Sequence, residues 1–101
     1  MGKRTTTWKQ HERRVAGRLG GQRVGNRGTN TEDVEHPTLS IECKHRKELP
    51  GWLKDAIAQA HTNAPAGKLP IVVLHELGQR SDNDMVVLRL ADFETWVERN
   101  G

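Results

Sequence analysis

The stretch Thr31–Lys44, TEDVEHPTLSIECK, carries most of the chain's organisation. Read with a period of two, Leu39, Ile41 and Cys43 point one way and Ser40, Glu42 and Lys44 the other. Pro37 suits the second position of a β-turn over His36-Pro37-Thr38-Leu39. With Pro37 and Thr38 at the centre of that turn, Asp33 faces Glu42 across a hairpin and Glu35 faces Ser40, all on the Lys44 side. Facing side chains lie about 4.5–5.5 Å apart at Cβ, so opposed carboxylates repel and weaken the pairing. A divalent cation between them removes that cost, and a metal site is the first expectation. The alternative is a solvated edge on which these charges do nothing in particular. Pro-Thr is not a favoured two-residue hairpin loop, which leaves the register open by one residue.

The 101 residues suffice for one domain with a modest core, and the reading is a single domain over 1–101. Hydrophobic content is 34% and charge 29%, so that core has to be economical, with Trp8, Trp52 and Trp96 supplying much of it. No run approaches the roughly 20 apolar residues that span a bilayer, and the amino terminus lacks the apolar segment of a signal peptide. A single cysteine, Cys43, excludes an internal disulfide and suits a reducing compartment. These features read as a soluble, cytoplasmic protein without a membrane partner, whether host- or virus-encoded.

The net charge of +3 hides an asymmetry. Residues 1–27 hold eight of the 16 Lys and Arg (Lys3, Arg4, Lys9, Arg13, Arg14, Arg18, Arg23, Arg27) against one acid, Glu12, a net +7. The remaining residues hold eight basic and twelve acidic side chains, a net −4. A basic leading third on an acidic remainder is the pattern of a polyanion-binding face, with nucleic acid as the partner.

Residues 1–7 read as a flexible basic arm. A helix is expected from Trp8 to Leu19, ended by Gly20-Gly21. Its apolar stripe runs Trp8, Val15, Ala16 and Leu19, and Glu12 falls on that stripe. An acid on an inward face needs a cation or a strong donor; pairing with a core arginine is the alternative. Gln22–Val24 forms a short strand, and Gly25–Thr31 (GNRGTNT) a loop able to approach a phosphate backbone closely. After the hairpin, Pro50-Gly51 opens a second helix with Trp52, Leu53, Ala56, Ile57 and Ala60 inward and Gln59 near the same side, ended by Ala64-Pro65-Ala66-Gly67. Pro70–His75 is a continuous apolar run, as in a strand covered on both faces. Residues 78–84 form a turn, 85–90 a strand hairpinned to 70–75, and 92–99 a last helix with Phe93, Trp96 and Val97 inward. The order is α-β-β-β-α-β-β-α, an α/β fold with central strands and covering helices.

Glu12, Asp33 and Glu42 then converge beside Lys44. Magnesium takes oxygen ligands at about 2.0–2.1 Å, and carboxylates from two strands plus phosphate oxygens meet that requirement. A cation so held lowers the pKa of a water and neutralises phosphate charge, while Lys44 orients that water or stabilises the transition state. The chemistry implied is phosphodiester hydrolysis. His36, Cys43, His45 and His75 lack the paired spacing of a zinc site.

Glu12, Asp33 and Glu42-Cys43-Lys44 together resemble the E…D…E-x-K signature of the PD-(D/E)xK nuclease superfamily. The element order over 8–75 is similar to that superfamily's core, a restriction-endonuclease-like mixed sheet flanked by helices. Glu12-Arg13, the Gly-x-x-Val at 21–24, the Gly28-Thr29 loop and the strand Ile41-Glu42-x-Lys44 resemble archaeal-type Holliday junction resolvases. That resemblance implies a homodimer cutting four-way DNA junctions symmetrically with Mg²⁺ or Mn²⁺. It also implies Glu12, Asp33 and Glu42 as metal ligands and Lys44 at the attacking water. Thr29 stands where the family has a catalytic loop serine. Lys3, Arg4, Arg13, Arg14, Arg18, Arg23 and Arg27 would bind DNA, with Arg23 or Arg27 as the family's loop arginine. Glu32, not proline, precedes Asp33, and Glu35 on the same face is a second candidate ligand.

Overall fold

The computed structural model describes residues 8–24 and 32–100. The chain is mixed α/β, with three helices and two small antiparallel sheets among the described residues. It divides into two compact units, Met1–Lys47 and Glu48–Gly101. The elements follow the expected order, but the strands pair as two separate sheets instead of one central sheet.

In the first unit, α1 (Trp8–Leu19) has the expected boundaries. Gly20 ends it at φ 76, and the Gly21 N–H donates to the Ala16 carbonyl at 2.8 Å. That six-residue closure with a left-handed glycine satisfies a carbonyl the helix would otherwise leave open. Strands β1 (Gln22–Arg23), β2 (Val34–Glu35) and β3 (Ser40–Ile41) form the sheet in that order. Val34 pairs with Ile41 and Glu35 with Ser40, the register expected from a turn centred on Pro37-Thr38. The turn is held by the His36 side chain, whose Nδ1 accepts from the Thr38 N–H at 3.1 Å.

The ladder is shorter than the sequence suggests. Beyond Val34, the Asp33 N–H donates to the Ile41 carbonyl at 2.8 Å and the Asp33 carbonyl accepts from the Val24 N–H at 3.1 Å. Helix α1 packs across β1 and β2, burying Val15, Ala16 and Val34, with Leu19, Ile41 and Cys43 against them. Gly21 permits that close approach, because a Cβ there would meet the Glu35 carbonyl oxygen and Val34 Cγ1.

In the second unit, α2 (Gly51–Asn63) starts directly after Pro50 and ends at Ala64. Strands β4 (Val72–Leu74) and β5 (Met85–Val87) form the expected hairpin, and α3 (Leu90–Asn100) closes the unit. Leu53, Ala56, Ile57 and Ala60 are half-buried as the 3.6-residue period requires, whereas Gln59 is exposed. Val73 is 55% exposed, so β4 alternates where a strand covered on both faces was expected. Trp52 and Trp96 are also largely exposed, although both were expected inward.

No described helix is long and apolar enough to cross a membrane.

Candidate active site

One cavity of about 400 Å³ in the first unit is lined by Trp8, Glu12, Asp33, Glu42, Cys43, Lys44, His45 and Arg46. It brings together four residues that lie far apart in sequence: Glu12 on α1, Asp33 just before β2, and Glu42 and Lys44 just after β3. Each arrives there for a local reason. Glu12 shares the inward stripe of α1 with Val15 and Ala16 and is itself buried. Glu42 and Lys44 continue the exposed alternation of β3, while Cys43 between them packs on the core.

Each carboxylate has a protein partner. Arg23 Nε donates to Glu12 Oε1 at 2.8 Å, with little of either side chain open to water. Arg23 pairs with Val34 across the sheet, and Val34 is the buried strand residue under α1, so Arg23 projects toward the helix. The Cys43 N–H donates to Asp33 Oδ2 at 2.7 Å, so a side chain takes the place of a ladder acceptor. Lys44 Nζ lies 3.4 Å from Glu42 Oε2, with both side chains well exposed. An exposed pair of that kind contributes little, so Glu42 and Lys44 separate readily when another ligand competes.

The cavity's electrostatics register on Cys43. Burial pushes its thiol up from the ordinary value, and the carboxylates of Asp33, Glu12 and Glu42 push it further in the same direction. Three anionic groups thus act on one sulfur from three segments of the chain.

Three carboxylates are the donor set a hard divalent cation takes, and an ionised carboxylate offers about four lone-pair sites, so one hydrogen bond does not exhaust it. Among the described residues, however, no three His, Cys, Asp or Glu side chains are gathered closely enough to hold a metal ion. Arg23, the Cys43 amide and Lys44 each engage one of the three carboxylates.

Arg13, Arg14 and Arg18 are exposed on α1, Arg14 lying 3.4 Å from His11 Nδ1. Arg23 is turned to Glu12 and is half-buried. Lys3, Arg4, Arg27 and Thr29 lie outside the described residues, as do the 1–7 arm and most of the Gly25–Thr31 loop. Glu35 is exposed on β2 and does not line the cavity. His36 closes its turn and His75 bonds Asp84 in the other unit at 2.6 Å, so neither joins Cys43.

Sequence reasoning overlooked Trp8, His45 and Arg46 as cavity residues. Arg46 carried a signal, since Glu42, Lys44 and Arg46 continue one period-two series beyond the strand. Trp8, four residues before Glu12 on the same stripe, was assigned to the core and is instead 56% exposed. Trp8 opens α1 and meets the sheet through Arg23 of β1, whose guanidinium lies 5.8 Å from its ring, and not through the buried cluster of Val15, Ala16 and Val34.

No protein-family model matches the sequence, no curated protein matches it, and no solved structure matches the fold.

Proposed function

We propose that the protein is a metal-dependent, structure-selective endodeoxyribonuclease of the PD-(D/E)xK type, resolving four-way DNA junctions by paired symmetric incisions. The observation carrying this reading is that Glu12, Asp33, Glu42 and Lys44 line a single cavity in a chain whose first 27 residues are strongly basic. The element order and the β2–β3 register support a restriction-endonuclease-like core in part, while the division of the strands into two antiparallel sheets departs from its single mixed sheet. Two coordinated cuts need two sites, hence a homodimer; Val73, Met85 and Val86 on the β4–β5 hairpin are 55%, 67% and 57% exposed and offer an apolar surface for it. The single cysteine suits a cytoplasmic setting.

Glu12, Asp33 and Glu42 are the residues that would hold Mg²⁺ or Mn²⁺. Such an ion supplies a more acidic water and charge neutralisation at the phosphate. Arg23 orients the Glu12 carboxylate, and the Cys43 amide orients that of Asp33. Lys44, released from Glu42, carries its charge to the phosphate oxygens as negative charge builds there. The exposed arginines of α1 hold the flanking backbone without reading sequence.

Incubation of the full chain with a synthetic four-way junction and a matched linear duplex, with and without Mg²⁺, tests the reading. Selective, Mg²⁺-dependent incision of the junction is expected. Equal cutting of both substrates would point to a nicking or repair nuclease of the same superfamily. A second reading, a DNA-binding protein without catalysis, draws on the carboxylates' engagement by Arg23, the Cys43 amide and Lys44 and on the exposed arginines of α1. It predicts salt-dependent junction binding with no incision at any Mg²⁺ concentration.

A further inference from the structure

We propose that the exposed Trp8 ring is a stacking platform for one unstacked nucleobase of the DNA strand at the carboxylate cavity, with Lys44 and Arg46 meeting the adjoining phosphate. This rests on the nuclease reading for the strand's identity, and on the cavity alone for its chemistry. Trp8 is the first residue of α1, 56% exposed, and lines the same cavity as Glu12, Asp33 and Glu42. With more than half of the residue open beside three carboxylates, core packing accounts for only part of this tryptophan.

Its surroundings favour a nucleotide over an uncharged apolar ligand. Lys9 Nζ lies 5.4 Å and Arg23 Cζ 5.8 Å from the Trp8 ring, within cation–π range. Arg23 is fixed in turn by Glu12 at 2.8 Å, so ring, guanidinium and candidate metal ligand form one connected chain. Lys44 and Arg46 line the cavity from the strand side. Cations placed around an aromatic face are the pattern by which proteins hold an unpaired strand: the ring takes a base of any identity and the cations take its backbone. The platform therefore selects structure, not sequence. A base within an intact duplex has to leave its stack before its face is available, a cost that is lower where a branch point interrupts the stack and least in a single-stranded segment.

The test uses the full chain in EDTA, so that binding is read without cleavage. Four-way junctions carry 2-aminopurine at successive positions around the branch, and each is titrated with wild-type protein, Trp8→Phe and Trp8→Ala, with circular dichroism checking the fold of each. The expected result is a change in 2-aminopurine emission at one position with wild type, retained in part with Trp8→Phe and lost with Trp8→Ala. Trp8→Ala should also bind the junction about ten-fold or more weakly, the scale of one lost base–aromatic stack, while duplex binding changes little. A purely structural role for Trp8 would weaken both substrates alike. Equal loss on junction and duplex, unchanged junction affinity, or no responsive 2-aminopurine position with wild type overturns the platform. If Trp8→Ala does not fold, Trp8→Phe and the wild-type emission pattern decide. Mg²⁺-dependent incision that persists with unaltered selectivity in Trp8→Ala removes the platform and leaves the nuclease standing; Trp8-dependent selectivity without any incision does the reverse.

Discussion

The Arg23 guanidinium donates to the Glu12 carboxylate at 2.8 Å, joining β1 to the inward face of α1, and the two side chains are only 21% and 9% exposed. A carboxylate in that position would carry an uncompensated desolvation cost without its partner. Arg23→Gln is therefore expected to destabilise the fold by about 1–3 kcal/mol, the cost of leaving such a group poorly satisfied. Glu12→Gln combined with Arg23→Gln should lose less than the sum of the single changes. Urea denaturation of the four proteins in a double-mutant cycle measures the coupling, and strict additivity would mean the pair is not energetically linked.

Glu42 separates chemistry from folding more cleanly. Its side chain is 59% exposed and pairs with Lys44, itself 66% exposed, so Glu42→Gln should move stability by no more than about 0.5 kcal/mol. The same change should reduce Mg²⁺-dependent junction incision by at least about a hundred-fold, as for loss of a group acting on transition-state charge. Thermal melting and single-turnover cleavage of one preparation check both halves. Unaltered cleavage would remove Glu42 from the site.

Two glycines in and after α1 should respond in opposite directions. A Cβ at Gly21 would run into the Glu35 backbone carbonyl and Val34 Cγ1, and a backbone atom cannot give way cheaply. Gly21→Ala is expected to cost about 1–3 kcal/mol through overpacking. Gly17 sits inside the helix with nothing within 4 Å of its would-be Cβ. Gly17→Ala should stabilise by about 0.5–1 kcal/mol, because alanine surrenders less backbone freedom on entering a helix. Chemical denaturation ranks the two variants against wild type.

Cys43 reports on the charge of the cavity. Its thiol is raised by burial and by Asp33, Glu12 and Glu42, so it stays protonated to a higher pH in the folded protein than in the unfolded chain. The unfolded state then releases its proton first, and this group's contribution makes stability fall as pH rises above the ordinary thiol range. Iodoacetamide should alkylate folded Cys43 more slowly than a cysteine peptide at pH 8, since the thiolate is the reacting form. Asp33→Asn or Glu42→Gln should speed that alkylation by removing a repelling charge. Rates followed by mass spectrometry across pH 7–10 test it, and no acceleration in either variant would mean the carboxylates do not act on the sulfur.

Much of the local architecture could be read from residue order. Helix α1 ends where Gly20-Gly21 said it would, α2 begins after Pro50 and stops before Pro65, and Val34 meets Ile41 as the Pro37-Thr38 turn required. Periodicity, proline and glycine act within a few residues, so these features need no knowledge of the rest of the chain. The same short-range logic brought Glu42 and Lys44 to one exposed edge and Glu12 to the inward side of its helix.

Which surfaces meet was another matter. That Glu12 faces Arg23, that Asp33 caps the Cys43 amide, that Trp8 stays exposed, and that the strands divide into two sheets all depend on contacts between segments distant in sequence. A helical stripe specifies a face but not what lies beneath it; burial, ion-pair partners and cavity walls follow from the lengths and positions of the elements brought against that face.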